Sequence, residues 1–217
     1  MHILLTDIVT CPRCGPEFGL ILLADRVEER RVLQGRLGCS NCREMYAVEG
    51  GVLDLRLAEG AEDSSSASDP DAAVRLAALL GLAGAGGTVL VAGPGAELAP
   101  GIAALVPGLE VVALTARPAA GPEAPGVSRV AGGPSIPLRG GMLRGVALTG
   151  AAAAEIPLAE ALRVLAPGTR LLLDPAPAGA AEALGGMGAE VLLEQEGVLV
   201  AKRAGPAPGA APEGSRR

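Results

Sequence analysis

Residues 88–95 read Thr88-Val89-Leu90-Val91-Ala92-Gly93-Pro94-Gly95, five residues of strand type closed by a glycine-rich turn. A short unbroken aliphatic run suits a strand covered on both faces. The glycines admit a sharp turn from strand to helix. The alternation continues on either side of this stretch. Upstream, Asp71–Leu82 predicts a short helix, capped by Asp69 and with Pro70 in its first turn. Downstream, Glu97–Leu105 predicts a helix weakened by Pro100 and Gly101, and Glu110–Thr115 a second strand. Gly126–Arg144 is turn-rich, with four glycines between Gly132 and Gly141, and reads as a loop or a contact surface. Gly145–Thr149 predicts a third strand, Ala151–Leu165 a helix broken at Pro157, and Arg170–Asp174 an apolar strand. Ala178–Met187 is helical in pattern, and Glu190–Glu194 with Gly197–Lys202 forms a closing hairpin. Strand–helix alternation ending in a hairpin predicts an α/β fold with a doubly wound sheet.

Composition divides the 217 residues around this body. Residues 1–57 hold all four cysteines, the only Phe, the only Tyr and the only His. Residues 58–70 are small, polar and acidic, with too little apolar surface to offset ordering entropy, and read as a linker. Residues 71–203 form the body, and the Pro/Ala/Gly-rich tail 204–217 reads as disordered. Gly (32) and Pro (18) make up close to a quarter of the chain, which favours short elements over long helical bundles. A net charge of −6 and 1% aromatic residues argue against direct nucleic-acid binding, which needs basic surface and flat stacking faces. No apolar run is long enough to predict a membrane span, and the first twelve residues lack the basic start of a signal peptide.

The cysteines fall into two Cys-x-x-Cys knuckles, Cys11/Cys14 and Cys39/Cys42, separated by the 24 residues 15–38. Two residues between thiols let both sulfurs face one ion, and two such turns supply a tetrahedral set of four thiolates. Such a set fits structural zinc and a reducing, cytoplasmic location better than a disulfide framework. A closed four-thiolate site leaves no coordination position for substrate, so its role is that of a staple for a small module. Arg13 and Arg43 flank the knuckles and can offset the charge of the thiolates. Phe18 and Tyr46 read as core fillers rather than binding platforms. The expected hairpin between the knuckles runs through Leu20–Ala24 and Arg31–Leu37.

The stretches LLTDIVTCPRCG (4–15) and GRLGCSNCREMYAVEGGVLDL (35–55) resemble the zinc-ribbon family that activates tRNA and protein methyltransferases. That resemblance, over about residues 3–57, implies a β-rich ribbon that binds and activates a methyltransferase domain, often one fused directly behind it. The rest of the chain is similar to class I S-adenosylmethionine-dependent methyltransferases, which implies a Rossmann-like body. Gly93 and Gly95 stand where that family's glycines approach the cofactor, and Thr115 stands where the second strand ends beside the ribose. Residues 160–174, EALRVLAPGTRLLLD, are similar to a further family stretch. The family's acidic positions are held by Val91 and, at the end of the second strand, by the Ala113–Ala116 stretch. Glu155 and Asp174 are the remaining acidic candidates near strand ends and read as solvated charges. The glycines can equally serve only the turn. A nicotinamide cofactor is disfavoured, because Leu98 replaces the third glycine of its fingerprint, although Arg117 follows the second strand. The expectation is a catalytically degenerate methyltransferase-like protein, with no catalytic residue assigned, acting as a structural or regulatory subunit through protein contacts. The alternative is an active methyltransferase of unknown acceptor, with S-adenosylmethionine as cofactor.

Overall fold

The computed structural model describes residues 1–58, 71–117 and 123–205. The expected linker from residue 59, with the caps Asp69 and Pro70, and the expected tail from residue 206 lie outside the described residues.

The first five strands are β1 (Thr10–Cys11), β2 (Gly15–Glu28), β3 (Arg31–Cys39), β4 (Met45–Glu49) and β5 (Val52–Asp54). They form an antiparallel meander, because each connection is a turn too short for a crossover. The body follows with α1 (Ala72–Leu80), β6 (Thr88–Ala92), α2 (Ala99–Leu105), β7 (Glu110–Thr115), β8 (Val127–Ala131) and β9 (Leu143–Thr149). It closes with α3 (Ala152–Glu155), α4 (Leu158–Val164), β10 (Leu165–Asp174), α5 (Ala180–Gly186), β11 (Ala189–Gln195) and β12 (Val198–Arg203).

One twelve-stranded sheet runs β1-β2-β3-β4-β5-β8-β7-β6-β9-β10-β12-β11. Strands β8, β7, β6, β9 and β10 are parallel, and the β11–β12 hairpin adds antiparallel at the end. The chain steps outward from β6 through β7 to β8, then returns to lay β9 on the other side of β6. The point where the strand order reverses therefore lies between β6 and β9, and ligands of open α/β sheets bind at the carboxyl ends of strands there. Alternate residues serve opposite faces. Leu90, Val112 and Leu148 pack with α4 and α5, whereas Val89, Val91 and Val111 pack under α1 and α2. Helices thus cover both faces, as a doubly wound sheet requires.

The meander and the body share a sheet and a core. β5 pairs in parallel with β8 through Val52↔Arg129, Leu53↔Val130 and Asp54↔Ala131. Leu5, Val9, Leu37 and Leu53 belong to the same buried cluster as Leu138 and Leu148.

Three segments differ from their sequence expectation. The expected loop 126–144 contains β8, whose Ser128 and Arg129 interrupt the apolar pattern. Ser128 is fully buried because its hydroxyl donates to Glu110 Oε1 at 2.6 Å and accepts from His2 N at 2.8 Å. In the remainder of that segment Ile136, Leu138 and Leu143 are buried in the shared core. Helix 97–105 begins only at Ala99, after a 3-10 turn at Pro94–Leu98, since Pro100 is tolerated in a first turn and not farther in. Phe18 is 38% exposed and is not a core residue.

Candidate functional site

The four cysteine sulfurs come together, all lying within 4.8 Å of one another. Cys11 ends β1 and Cys39 ends β3, and each knuckle turns back so that its second thiol rejoins the first. Sγ of Cys11 lies 3.7 Å from that of Cys42, and Sγ of Cys14 lies 3.8 Å from that of Cys39. Zinc–sulfur bonds of about 2.3 Å in a regular tetrahedron require sulfur–sulfur edges of about 3.8 Å, so the donor set fits such an ion. Donors surround the sulfurs. Cys14 N donates to Cys11 Sγ at 3.4 Å, Asn41 Nδ2 to Cys14 Sγ at 3.3 Å, and Tyr46 Oη lies 3.3 Å from Cys11 Sγ. Burial pushes the Cys11 thiol up, but the bonds from Tyr46 and the Cys14 and Arg13 amides outweigh it and bring the thiol down to about 7. Tyr46 is raised by its burial and by Cys11. Arg13 does not face the sulfurs with a free charge; it is ion-paired with Glu44 at 2.9 Å.

The first knuckle is also fastened to the body. Thr10 N donates to Pro137 O at 2.9 Å and Arg139 N to Ile8 O at 2.8 Å. Arg163 holds the same segment from the other side, donating to Leu138 O at 2.8 Å and Ile136 O at 2.9 Å while paired with Glu160. This is the local role of Glu160 and Arg163 in the 160–174 stretch.

A cleft of about 130 Å³ opens at the carboxyl ends of β6 and β7, at the reversal point. Gly93 and Thr115 line it, with Gly133, Pro134, Ala152 and Glu155 opposite. Glu155 is the one ionisable side chain among the described lining residues. Asp174 ends β10 as an exposed carboxylate away from the lining. Gly93 has φ +79°, and a Cβ there would stand 2.2 Å from Thr149 O; a Cβ on Gly95 would stand 2.8 Å from Thr149 Cγ2. Gly95 N donates to Thr149 Oγ1 at 2.8 Å, and that hydroxyl donates to Ala92 O at 2.7 Å. The close approach the glycines allow is thus used by the neighbouring strand. Thr115 Oγ1 donates to Arg117 O.

Thr149 carries no sequence signal, since it belongs to no spaced motif, and Asn41 fills one of the two unspecified positions of the second knuckle. Tyr46 carried one only as an aromatic next to a knuckle.

No protein-family model matches the chain, and no curated protein matches it. Solved structures do resemble it. A putative S-adenosyl-L-methionine-dependent methyltransferase from Methanococcus maripaludis overlaps with TM-score 0.44 and 14% identity, over 64% of this chain and 86% of that one. The antibiotic-resistance methyltransferase Kmr overlaps with TM-score 0.42 and 17% identity, over 66% and 98%. The [4+2]-cyclase SpnF overlaps with TM-score 0.44 and 16% identity, over 69% and 88%. Likeness this loose carries no weight for the chemistry of the cleft.

Proposed function

We infer that the chain is a methyltransferase-like protein with a structural zinc ribbon, catalytically degenerate, that serves as a structural or regulatory subunit. The observation that carries this reading is Thr149 filling the approach to Gly93 and Gly95. Two features of the cleft speak against S-adenosylmethionine. Cofactor pockets enclose about 300–1,000 Å³, whereas this cleft holds about 130 Å³. The strand ends offer Val91 and Thr115 where carboxylates would bind amino and ribose groups, and losing one charged hydrogen bond costs about 1.5–3 kcal/mol. The four converging sulfurs and the sequence resemblance support zinc. The β5–β8 pairing supports a ribbon that acts on its own body. Exposed Ile21 and Met45, aligned across Gly38 on the outer face of the meander, support a protein partner. Cysteines grouped as metal ligands rather than disulfides support a reducing, cytoplasmic location.

Two measurements test the reading. Titration calorimetry with S-adenosylmethionine gives no heat of binding at millimolar ligand, and micromolar binding overturns the degenerate assignment in favour of an active enzyme. Metal analysis of protein purified without chelator gives one zinc per chain, and a metal-free, fully folded protein overturns the ribbon.

A further inference from the structure

We propose that Tyr46 is a positioning residue of the metal centre, its hydroxyl donating to Cys11 Sγ and holding that sulfur toward the other three. The inference rests on the reading that the four cysteines bind an ion. Tyr46 sits on β4, paired with Leu37 of β3, two residues before Cys39. Its ring is buried at 4% exposure, yet a buried phenol needs a partner for its hydroxyl. The described structure supplies Cys11 Sγ at 3.3 Å. In a metal-bound thiolate the sulfur has no proton, so the phenol must be the donor and the bond becomes charge-assisted.

Cys11 is the ligand that most needs this donor. It is 1% exposed, and water cannot solvate its anion there. Its other donors are the backbone amides of its own knuckle, Cys14 N at 3.4 Å and that of Arg13, so Tyr46 is the side-chain hydroxyl that reaches it from another strand. Cys14 is half-buried, and its side-chain donor, Asn41, is exposed, so water can replace that amide. The two donors therefore differ in weight. Removing the Tyr46 hydroxyl leaves a buried thiolate with backbone donors alone and no water to replace the lost one, whereas the Asn41 amide is replaced by water.

The test is Tyr46→Phe in the full chain, which keeps the ring and deletes the hydroxyl. Outer donors to metal ligands typically set affinity by about 10–100-fold. Zinc competition against a chromophoric chelator is expected to show a loss of that order for Tyr46→Phe and little change for Asn41→Ala. The sulfur-to-cobalt charge-transfer bands of the cobalt(II) form are expected to shift in Tyr46→Phe. Unchanged zinc affinity with superimposable cobalt spectra overturns the proposal. So does equal destabilisation of the metal-free and zinc forms, since that marks a packing role alone. Tyr46 is the chain's only tyrosine and there is no tryptophan, so wild-type emission reports this site directly if the variant fails to fold. Adding zinc to metal-free wild type is expected to change that emission with an endpoint at one equivalent. Emission that stays constant while the chelator assay shows zinc binding also overturns it. Wild type that binds neither zinc nor cobalt defeats the ribbon reading instead, a result distinct from failure of the variant.

Discussion

Thr149 shows how one buried hydroxyl can serve the backbone of a neighbouring glycine turn. It accepts from Gly95 N and donates to Ala92 O, so a single buried side chain satisfies two backbone groups at the end of β6. Thr149→Val keeps the shape and strands both groups. The expected cost is about 1–3 kcal/mol, read as a lower urea midpoint with an unchanged slope. A second residue-level prediction concerns Asp54, whose carboxyl is held below its usual range by the hydrogen bonds and charge of Arg56. A carboxyl depressed on folding adds stability above its unfolded value of about 3.9, and that stability is lost as pH falls through the lower folded value. Arg56→Gln is therefore expected to raise the midpoint of acid unfolding and leave stability at pH 7 lower by under about 1 kcal/mol, because the pair is only half-buried.

Among the elements, the join between β5 and β8 has the largest consequences. Arg31 of β3 crosses it, donating to both oxygens of Glu110 at 2.8 and 3.1 Å and to Val127 O at 2.8 Å. Ser128 completes the group through Glu110 Oε1. Breaking a largely buried pair from one side leaves an uncompensated charge, so Arg31→Ala is expected to cost about 3 kcal/mol or more. A double-mutant cycle with Glu110→Ala is expected to show coupling; additive effects would deny the bridge. β8 itself was illegible in the sequence because its polar residues serve this network, which exists only once β3, β7 and β8 meet. β6 and β7 were legible, since their aliphatic runs are buried on both faces of a parallel sheet; the closing hairpin was legible from its pattern and its Gly197 turn, although in β11 Val191 and Leu192 stay exposed. The free stretch of β2 beyond Leu20 is an edge whose pairing irregularities at Ala24–Val27 and charges Asp25, Arg26 and Glu28 discourage sheet-to-sheet stacking.

Across the whole molecule the four-cysteine cluster and the body are mechanically continuous. Cys11 follows residues bonded to Pro137 and Arg139, and that segment is gripped by Arg163. Zinc at a thousandfold above its dissociation constant adds about 4 kcal/mol, so stripping it with a strong chelator is expected to lower the melting temperature by about 10 °C. Calorimetry should show one transition moving as a whole, because both segments share a core. Residues 71–203 without the first 57 expose the β8 edge and buried Leu138, and are expected to aggregate in size-exclusion chromatography. A monodisperse, folded fragment would deny the shared core its importance.

The amino-acid sequence by itself determined β6, β7 and the pairing of the cysteines into two close-spaced turns, because strand periodicity, glycine turns and Cys-x-x-Cys spacing act over a few residues. Only the tertiary structure decided that β5 continues the sheet at β8, that Thr149 fills the glycine turn, and that Tyr46 faces Cys11. Those contacts join residues about 30 to 80 positions apart, and their energy arises from burial and hydrogen bonds that no segment can form alone.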